Sequence, residues 1–412
     1  MSARAIAKRM QVSKDSVNKW LKMSFTDDTK IKEEYRETRW FKKGALRKYT
    51  VIVRERIKII YDKMIDEKKF FINEYTILAN YLKLHGEDKE NQLPNKYYVQ
   101  FIQKVLWLHK KRKKPFRNWL SKYMNYPEIT INKLGYIMEG IDFVGPRYLQ
   151  GDSTPYHFLS RRYIRPDKFW QIDIITAQTT NQTIQKLASD RESRPIPQVL
   201  KIDNDSAFGM LKSWNAKDCI WSFTKWLLTL GIMPLYSVPR EPWNNGNVEW
   251  QNSIFNQLFR QEILFDSPAH LRTEVTRFNT EYRQYSDLVP TKEEDIEKLH
   301  IIEQTILDYC TKNNLTKEQI ISKEYYEKLT KKDFIATKVY VLRKVERIGE
   351  KKKEDEIWQI ELLGNKIEVD KVYINSILLC EIDTKNDKLT ISQEVDGILN
   401  IVKSKKYIIK NI

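Results

Sequence analysis

The sequence predicts a multidomain chain with α-helical modules first, an α/β domain in the middle and a small β-barrel at the end. Three observations predict it. Residues 1–125 hold 31 Lys and Arg against 14 Asp and Glu, an excess of 17 that equals the net charge of the whole chain, +17. Apolar periodicity then changes from helical to strand-like near residue 135, and it changes again after Phe334 to short alternating strands. With 412 residues the chain exceeds the roughly 250–300 that one core supports, so these changes read as domain boundaries. They place a helix-turn-helix module at 1–40, a second helical, helix-turn-helix-like module with a basic linker at 41–125, the α/β domain at 126–299, a helical connector at 300–335 and the small barrel at 336–412.

Composition excludes several classes. A hydrophobic content of 41% is enough to build cores, so the chain is not a disordered one. No run of about 18 apolar residues occurs, and MSARAIAKRM lacks the apolar centre of a signal peptide. A protein without membrane contact is expected, in the cytoplasm and associated with the nucleoid. Cys219, Cys310 and Cys380 lie far apart and form no CxxC pair, and His85, His109, His157, His270 and His300 do not complete a finger-like spacing. A disulfide framework and structural zinc are therefore both disfavoured.

The first module rests on ARAIAKRMQVSKDSVNKWLK. Ala5, Ile6 and Met10 make one apolar face, Ser13 suits the N-cap of a second helix, and Val17, Trp20 and Leu21 supply that helix's buried side. Ser16, Asn18 and Lys19 are left to point outward, where the second helix of such a motif meets a major groove. In the second module, ALRKYTVIVRERIKIIYDKMIDE has helical spacing, and NEYTILANYLKL with LPNKYYVQFIQKVLWL reads as another helix pair with a longer turn. Pro94 falls where a helix start tolerates it, and Tyr97, Tyr98 and Phe101 read as core rather than base-stacking residues. Lys110, Lys111, Arg112, Lys113 and Lys114 precede Pro115; no helix face can bury five consecutive cations, so this linker is expected to lie along phosphates.

In the central domain, strands are predicted at Tyr136–Val144, Tyr156–Tyr163, Phe169–Thr176, Val199–Asp203 and Ile232–Val238. Helices are predicted at Thr180–Ser189, Asp218–Leu230 and Asn247–Phe265. Three carboxylates fall at strand ends or a helix start. Asp142 and Asp203 stand near the ends of the first and fourth strands, 61 residues apart. Glu249 follows after 46 more, in the first turn of the last helix. Strand ends are where open α/β sheets place their sites. Three converging acids repel unless cations lie between them, and hard oxygen donors suit Mg²⁺ or Mn²⁺; two such ions are expected. On the same helix face as Glu249 lie Asn252, Asn256 and Arg260, a polar stripe fit for a DNA groove.

The segments IDFVGPRYL, LKIDNDSAF and PREPWNNGNVEWQNSIF resemble the three signature blocks of the DDE transposase and integrase superfamily, closest to bacterial insertion-sequence transposases with a retroviral-integrase-like core. The resemblance covers about residues 135–290, including HLRTEVTRFNTEYRQYS. It implies an RNase H-like catalytic core in which Asp142, Asp203 and Glu249 carry the metals. The chain departs from retroviral integrases in lacking an N-terminal His/Cys zinc module and in its longer second gap, and HFLSRRYIRPDKFWQIDII is less acidic than the corresponding segment of many relatives. Asp173 is a rival first acid, but only 30 residues separate it from Asp203, too few for two strands and a helix. Asp205 is a weaker rival to Asp203.

The function expected is metal-dependent cleavage at transposon ends, followed by transfer of the new 3′-OH into target DNA. The partners implied are terminal repeats, target DNA and further copies of the chain in a multimer, with an ATPase helper as an open option. A DNA-binding regulator derived from a transposase and an RNase H-like nuclease without strand transfer are the alternatives.

Overall fold

The computed structural model describes residues 49–88, 93–105, 126–135, 137–165, 169–192, 194–208, 218–239, 246–256, 265–289, 305–348 and 357–410. The chain divides into two compact units, Met1–Lys113 and Lys114–Ile412.

In the first unit three helices are described, α1 (Val51–Asp66), α2 (Glu74–His85) and α3 (Lys96–Val105). Val53, Ile57, Ile60 and Met64 of α1 recur at helical spacing and meet Ile77, Tyr81, Tyr98, Val99 and Ile102 in one core. Asn73 starts α2 in a capping box, accepting from the backbone of Thr76 while the Thr76 hydroxyl accepts from the backbone of Asn73. Of the aromatic residues expected in this core, Tyr98 is buried but Tyr97 is 70% exposed, because successive positions on a helix face different ways.

In the second unit α4 (Glu128–Lys133) leads into the antiparallel strands β1 (Met138–Arg147), β2 (Tyr156–Arg165) and β3 (Trp170–Ile175). Helix α5 (Thr180–Asp190) crosses to β4 (Val199–Ile202), which pairs parallel to β1, and α6 (Ser222–Thr229) crosses to β5 (Met233–Tyr236), parallel to β4. Then come α7 (Gly246–Phe255) and α8 (Pro268–Leu288). The chain order of three strands, helix, strand, helix, strand, helix is the order read from the sequence. The two crossovers are long because a parallel pair cannot be closed by a hairpin. One sheet face carries Ile141, Leu200, Ile202 and Tyr236 against Ile184 and Leu187 of α5 and Phe223 and Trp226 of α6. On the other face the Trp170 ring meets Phe278 and Tyr282 of α8 edge-on, and Phe158 meets Phe255 of α7.

Short helices α9 (Ile306–Asn313), α10 (Lys317–Ile320) and α11 (Lys323–Lys328) follow in the predicted connector. The Trp226 indole N–H of α6 donates to the backbone of Ile320 at 3.0 Å, so this connector is docked on the core.

The C-terminal strands are present but are arranged differently from a free-standing barrel. β6 (Lys338–Lys344) pairs parallel to β5, and β10 (Ile377–Asp383), β11 (Lys388–Val395) and β12 (Ile398–Lys406) follow antiparallel, so that one nine-stranded sheet runs β12-β11-β10-β6-β5-β4-β1-β2-β3. β7 (Glu346–Ile348), β8 (Ile357–Leu362) and β9 (Asn365–Glu368) form a separate three-stranded sheet. Alternation in the sequence announces strands but not their neighbours. The outer edge of β5 needs a partner for its backbone, and β6 supplies it. Among the described residues no helix is long and apolar enough to cross a membrane.

Candidate metal centre

The β1–β4 ladder decides where the first two acids lie. Ile141 pairs with Ile202, and both side chains are fully buried in the core under α5 and α6. Asp142 and Asp203 are the next residue on each strand. Successive strand residues face opposite ways, so Asp142 faces away from that core, and Asp203 opens the turn that follows β4 beside it. Asp203 lies one residue past the end of β4 and is exposed, whereas Asp142 is half-buried.

Helix α7 is laid over the face that carries Asp142. A Cβ on Gly140 of β1 would come within 2.8 Å of Val248 Cγ2, so the helix approaches β1 at a point where no side chain stands. One turn along α7, Asn252 donates from Nδ2 to Asp142 Oδ2 at 2.7 Å, while Asp142 Oδ1 accepts from the backbone N–H of Phe143. Glu249 lies on α7 between these two anchors, next to Val248 and three residues before Asn252. The Glu249 side chain lies outside the described residues. Among the described residues no three His, Cys, Asp or Glu side chains gather into a metal cluster.

The chemistry of the corner fits a hard cation. Its described donors are carboxylate oxygens on adjacent strands. Beside them the Asn252 Oδ1 is buried and has no hydrogen-bond donor among the described residues. Carboxylate and amide oxygens are hard donors of the kind that suit Mg²⁺ or Mn²⁺.

The turn after β4 is held from several sides. Asn204 donates from its backbone to Asp203 Oδ1 and from Nδ2 to the Ser237 carbonyl, both at 2.6 Å. Asp205 accepts from Ala207 N at 2.8 Å. It serves as a turn cap there. Arg343 of β6, fully buried, donates to the carbonyls of Glu361 and Leu342 and reaches Asn204 Oδ1 at 3.5 Å. Burial lowers its pKa to about 10. Thus a C-terminal strand reaches the turn that carries Asp203.

Asp173 is engaged elsewhere. It lies on the α5 side of the sheet, paired across the ladder with Leu159, and forms an ion pair with the buried Arg161. Arg161 also meets Asp190 at 3.0 Å. Asp190 meets Arg191 and Arg194, and Arg191 pairs with the buried Glu139. This network occupies the face opposite Asp142.

The DNA-facing residues expected from the sequence divide in two. Ser16, Asn18, Lys19, Lys110, Lys111, Arg112, Lys113, Lys114 and Arg260 lie outside the described residues. Asn252 and Asn256 are turned to the protein: Asn252 to Asp142 as above, and Asn256 to Arg147, whose Nη2 donates to Asn256 Oδ1 at 2.6 Å. Arg147, at the end of β1, was not singled out in the sequence; its signal is a cation five residues past Asp142 in the same block, IDFVGPR.

No family model matches the chain, and no curated protein matches it. Among solved structures, the catalytic core domain of BIV integrase is similar at 14% identity and a TM-score of 0.27, over 41% of this chain and all of that one. A simian T-cell lymphotropic virus intasome, in complex with PP2A regulatory subunit B56 gamma, is similar at 10% identity and a TM-score of 0.32, over 85% of this chain and 99% of that one. Likenesses this distant carry no weight for the site.

Proposed function

We propose that the chain is a metal-dependent polynucleotidyl transferase of the DDE type, a transposase that cuts at transposon ends and joins them to target DNA. One observation supports this above the others: Asp142 and Asp203 each directly follow the last pair of the parallel β1–β4 ladder, Ile141 with Ile202, beside the helix that carries Glu249. Asp142, Asp203 and Glu249 are the residues that would hold Mg²⁺ or Mn²⁺. When bound, such ions activate an attacking oxygen and stabilise the leaving oxygen of a phosphodiester. Asn252 holds the Asp142 carboxylate in one orientation, and the Asn204 turn holds Asp203. DNA ends are bound through the basic residues 1–125, and a multimer brings two ends together.

The test is incubation of a labelled terminal-repeat duplex with plasmid in Mg²⁺, Mn²⁺, Ca²⁺ or EDTA. Joined product in Mg²⁺ or Mn²⁺, with none in EDTA, is the expected result. Cleavage without joining would move the assignment to a nuclease. End binding without either, in every metal, would leave a DNA-binding regulator.

A further inference from the structure

We propose that Phe143 and Phe208 are positioning residues for the metal centre. Their stacked rings lock the turn that carries Asp203 to the strand that carries Asp142, so that the two carboxylates are set for a small divalent cation, Mg²⁺ or Mn²⁺, before it arrives. The inference deepens the metal-centre reading and rests on it for the identity of the ligand.

The β1–β4 ladder ends at Ile141 with Ile202, one residue short of both acids. Backbone pairing therefore does not fix how Asp142 and Asp203 stand to each other. Each acid is instead tied to the residue that follows it. Asp142 Oδ1 accepts from the backbone N–H of Phe143 at 2.8 Å, and Asp203 Oδ1 accepts from that of Asn204 at 2.6 Å. The placement of the two carboxylates thus depends on how Phe143 and the Asn204 turn are held. Phe143 follows Asp142 on the strand, so it faces the α5 and α6 side of the sheet and packs against the core there. Its ring lies parallel to that of Phe208, with an interplanar angle of 1° and centroids 4.6 Å apart. Phe208 ends the turn after Asp203 and is fully buried. Three further elements fix its seat. The Tyr236 hydroxyl of β5 donates to the Phe208 carbonyl at 3.1 Å, the Thr180 hydroxyl of α5 donates to the Ala207 carbonyl at 2.6 Å, and the Phe223 ring of α6 lies 5.6 Å from the Phe208 ring. Phe208 is a fixed post, and Phe143 binds the end of β1 to it through a ring contact worth more than its burial alone. A preset pair of acids favours Mg²⁺ or Mn²⁺, which bind in a regular octahedral shell; the larger Ca²⁺ accepts looser ligands.

The experiment compares the full-length parent with Phe143→Leu, Phe143→Tyr, Phe208→Leu, Phe278→Leu and Asp142→Asn, all without DNA. Phe143→Leu removes the stack at a half-buried position, and Phe143→Tyr keeps the ring. Phe278→Leu removes a ring as buried as Phe208 that meets Trp170 and Phe255 instead. Amide hydrogen exchange is read in the metal-free proteins, Mn²⁺ and Ca²⁺ binding by calorimetry, and thermal unfolding for each. Phe143→Leu is expected to speed exchange at Asn204, Ala207 and Phe208 about fivefold, while residues 200–202 of β4 stay within about twofold. Phe143→Leu and Phe208→Leu are each expected to weaken Mn²⁺ binding about five- to tenfold and Ca²⁺ binding less than about twofold. Phe143→Tyr is expected to match the parent, and Phe278→Leu to unfold at lower temperature with both affinities parental. Parental exchange at the turn in Phe143→Leu overturns the proposal. So does an equal loss of Mn²⁺ and Ca²⁺ affinity, or a loss in Phe278→Leu as large as in the other two, because either reports a general loosening of the fold. Phe143→Leu carries the comparison if Phe208→Leu does not fold. If Asp142→Asn binds Mn²⁺ as tightly as the parent, the metal reading falls, while exchange at the turn, read without metal, still decides whether the stack holds it.

Discussion

At the scale of single residues, Asp142 and Asp173 show how two aspartates on one sheet acquire opposite surroundings. Asp142 lies on the face covered by α7 and receives the Asn252 amide; Asp173 lies on the face covered by α5 and is paired with Arg161. Asp173→Asn is therefore expected to lower stability by about 1–3 kcal/mol, because Arg161 keeps Asp190 but loses a charged partner. The folded fraction should still join DNA, so thermal unfolding should shift while the specific activity of soluble protein does not. The cysteines give a second check. Burial pushes the Cys380 thiol up to about 12, and it also raises Cys310, whereas Cys219 is only partly buried. A raised thiol pKa means less thiolate, the reactive form, at pH 8. A thiol reagent at pH 8 should label Cys219 in the native protein and reach Cys310 and Cys380 only on unfolding.

At the scale of elements, the placement of α7 on β1 depends on Gly140. Gly140→Ala puts a Cβ 2.8 Å from Val248 Cγ2 and 3.1 Å from Ile164 Cδ1, so the helix must shift. A cost of about 1–3 kcal/mol is expected, with a loss of joining as Asn252 and Glu249 move away from Asp142. Adding Val248→Ala should recover part of both, giving a favourable coupling above about 0.5 kcal/mol in a double-mutant cycle. Strictly additive effects would show that the two residues do not meet.

Elements of this size were also what the sequence made legible. The strands around Asp142 and Asp203 and the crossover helices between them appear where periodicity put them, because a buried strand and an amphipathic helix each carry their own repeat. The pairing of β4 beside β1, which brings the two acids level, is a long-range property that no local pattern contains. The same limit applies to Asn252 and Asn256. Their helical spacing with Glu249 was visible, but which partner each would take depended on β1 lying beneath. The hydrogen bond from Arg147 to Asn256 was hidden for the same reason, since it joins residues more than a hundred positions apart.

At the scale of the molecule, the C-terminal strands complete the core sheet. Val339 and Val341 of β6 share one buried cluster with Ile141, Ile202 and Tyr236, and Arg343 reaches the Asn204 turn. Deleting residues 336–412 should expose the β5 edge and the apolar surface beneath β6, and yield insoluble protein. A soluble 1–335 fragment with parental thermal stability would show that these strands are a separable module. Net charge points the other way along the chain. The whole excess of +17 lies in residues 1–125, so removing residues 1–113 should weaken binding of end DNA severely and flatten its salt dependence. Equal affinity for ends in the shortened and full-length chains would contradict that division of labour.

In the proposed mechanism Asp142, Asp203 and Glu249 act together as metal ligands for DNA strand transfer. Its most direct test is joining of a labelled end duplex to plasmid by Asp142→Asn, Asp203→Asn and Glu249→Gln, with end binding measured in parallel in Ca²⁺. Each substitution keeps size and hydrogen-bonding capacity and removes one charge. Each is expected to abolish joining in both Mg²⁺ and Mn²⁺ while end binding stays within about twofold, because the cations proposed to bind ends lie elsewhere in the chain. Robust joining by Asp203→Asn, or joining by the parent in EDTA, would contradict it.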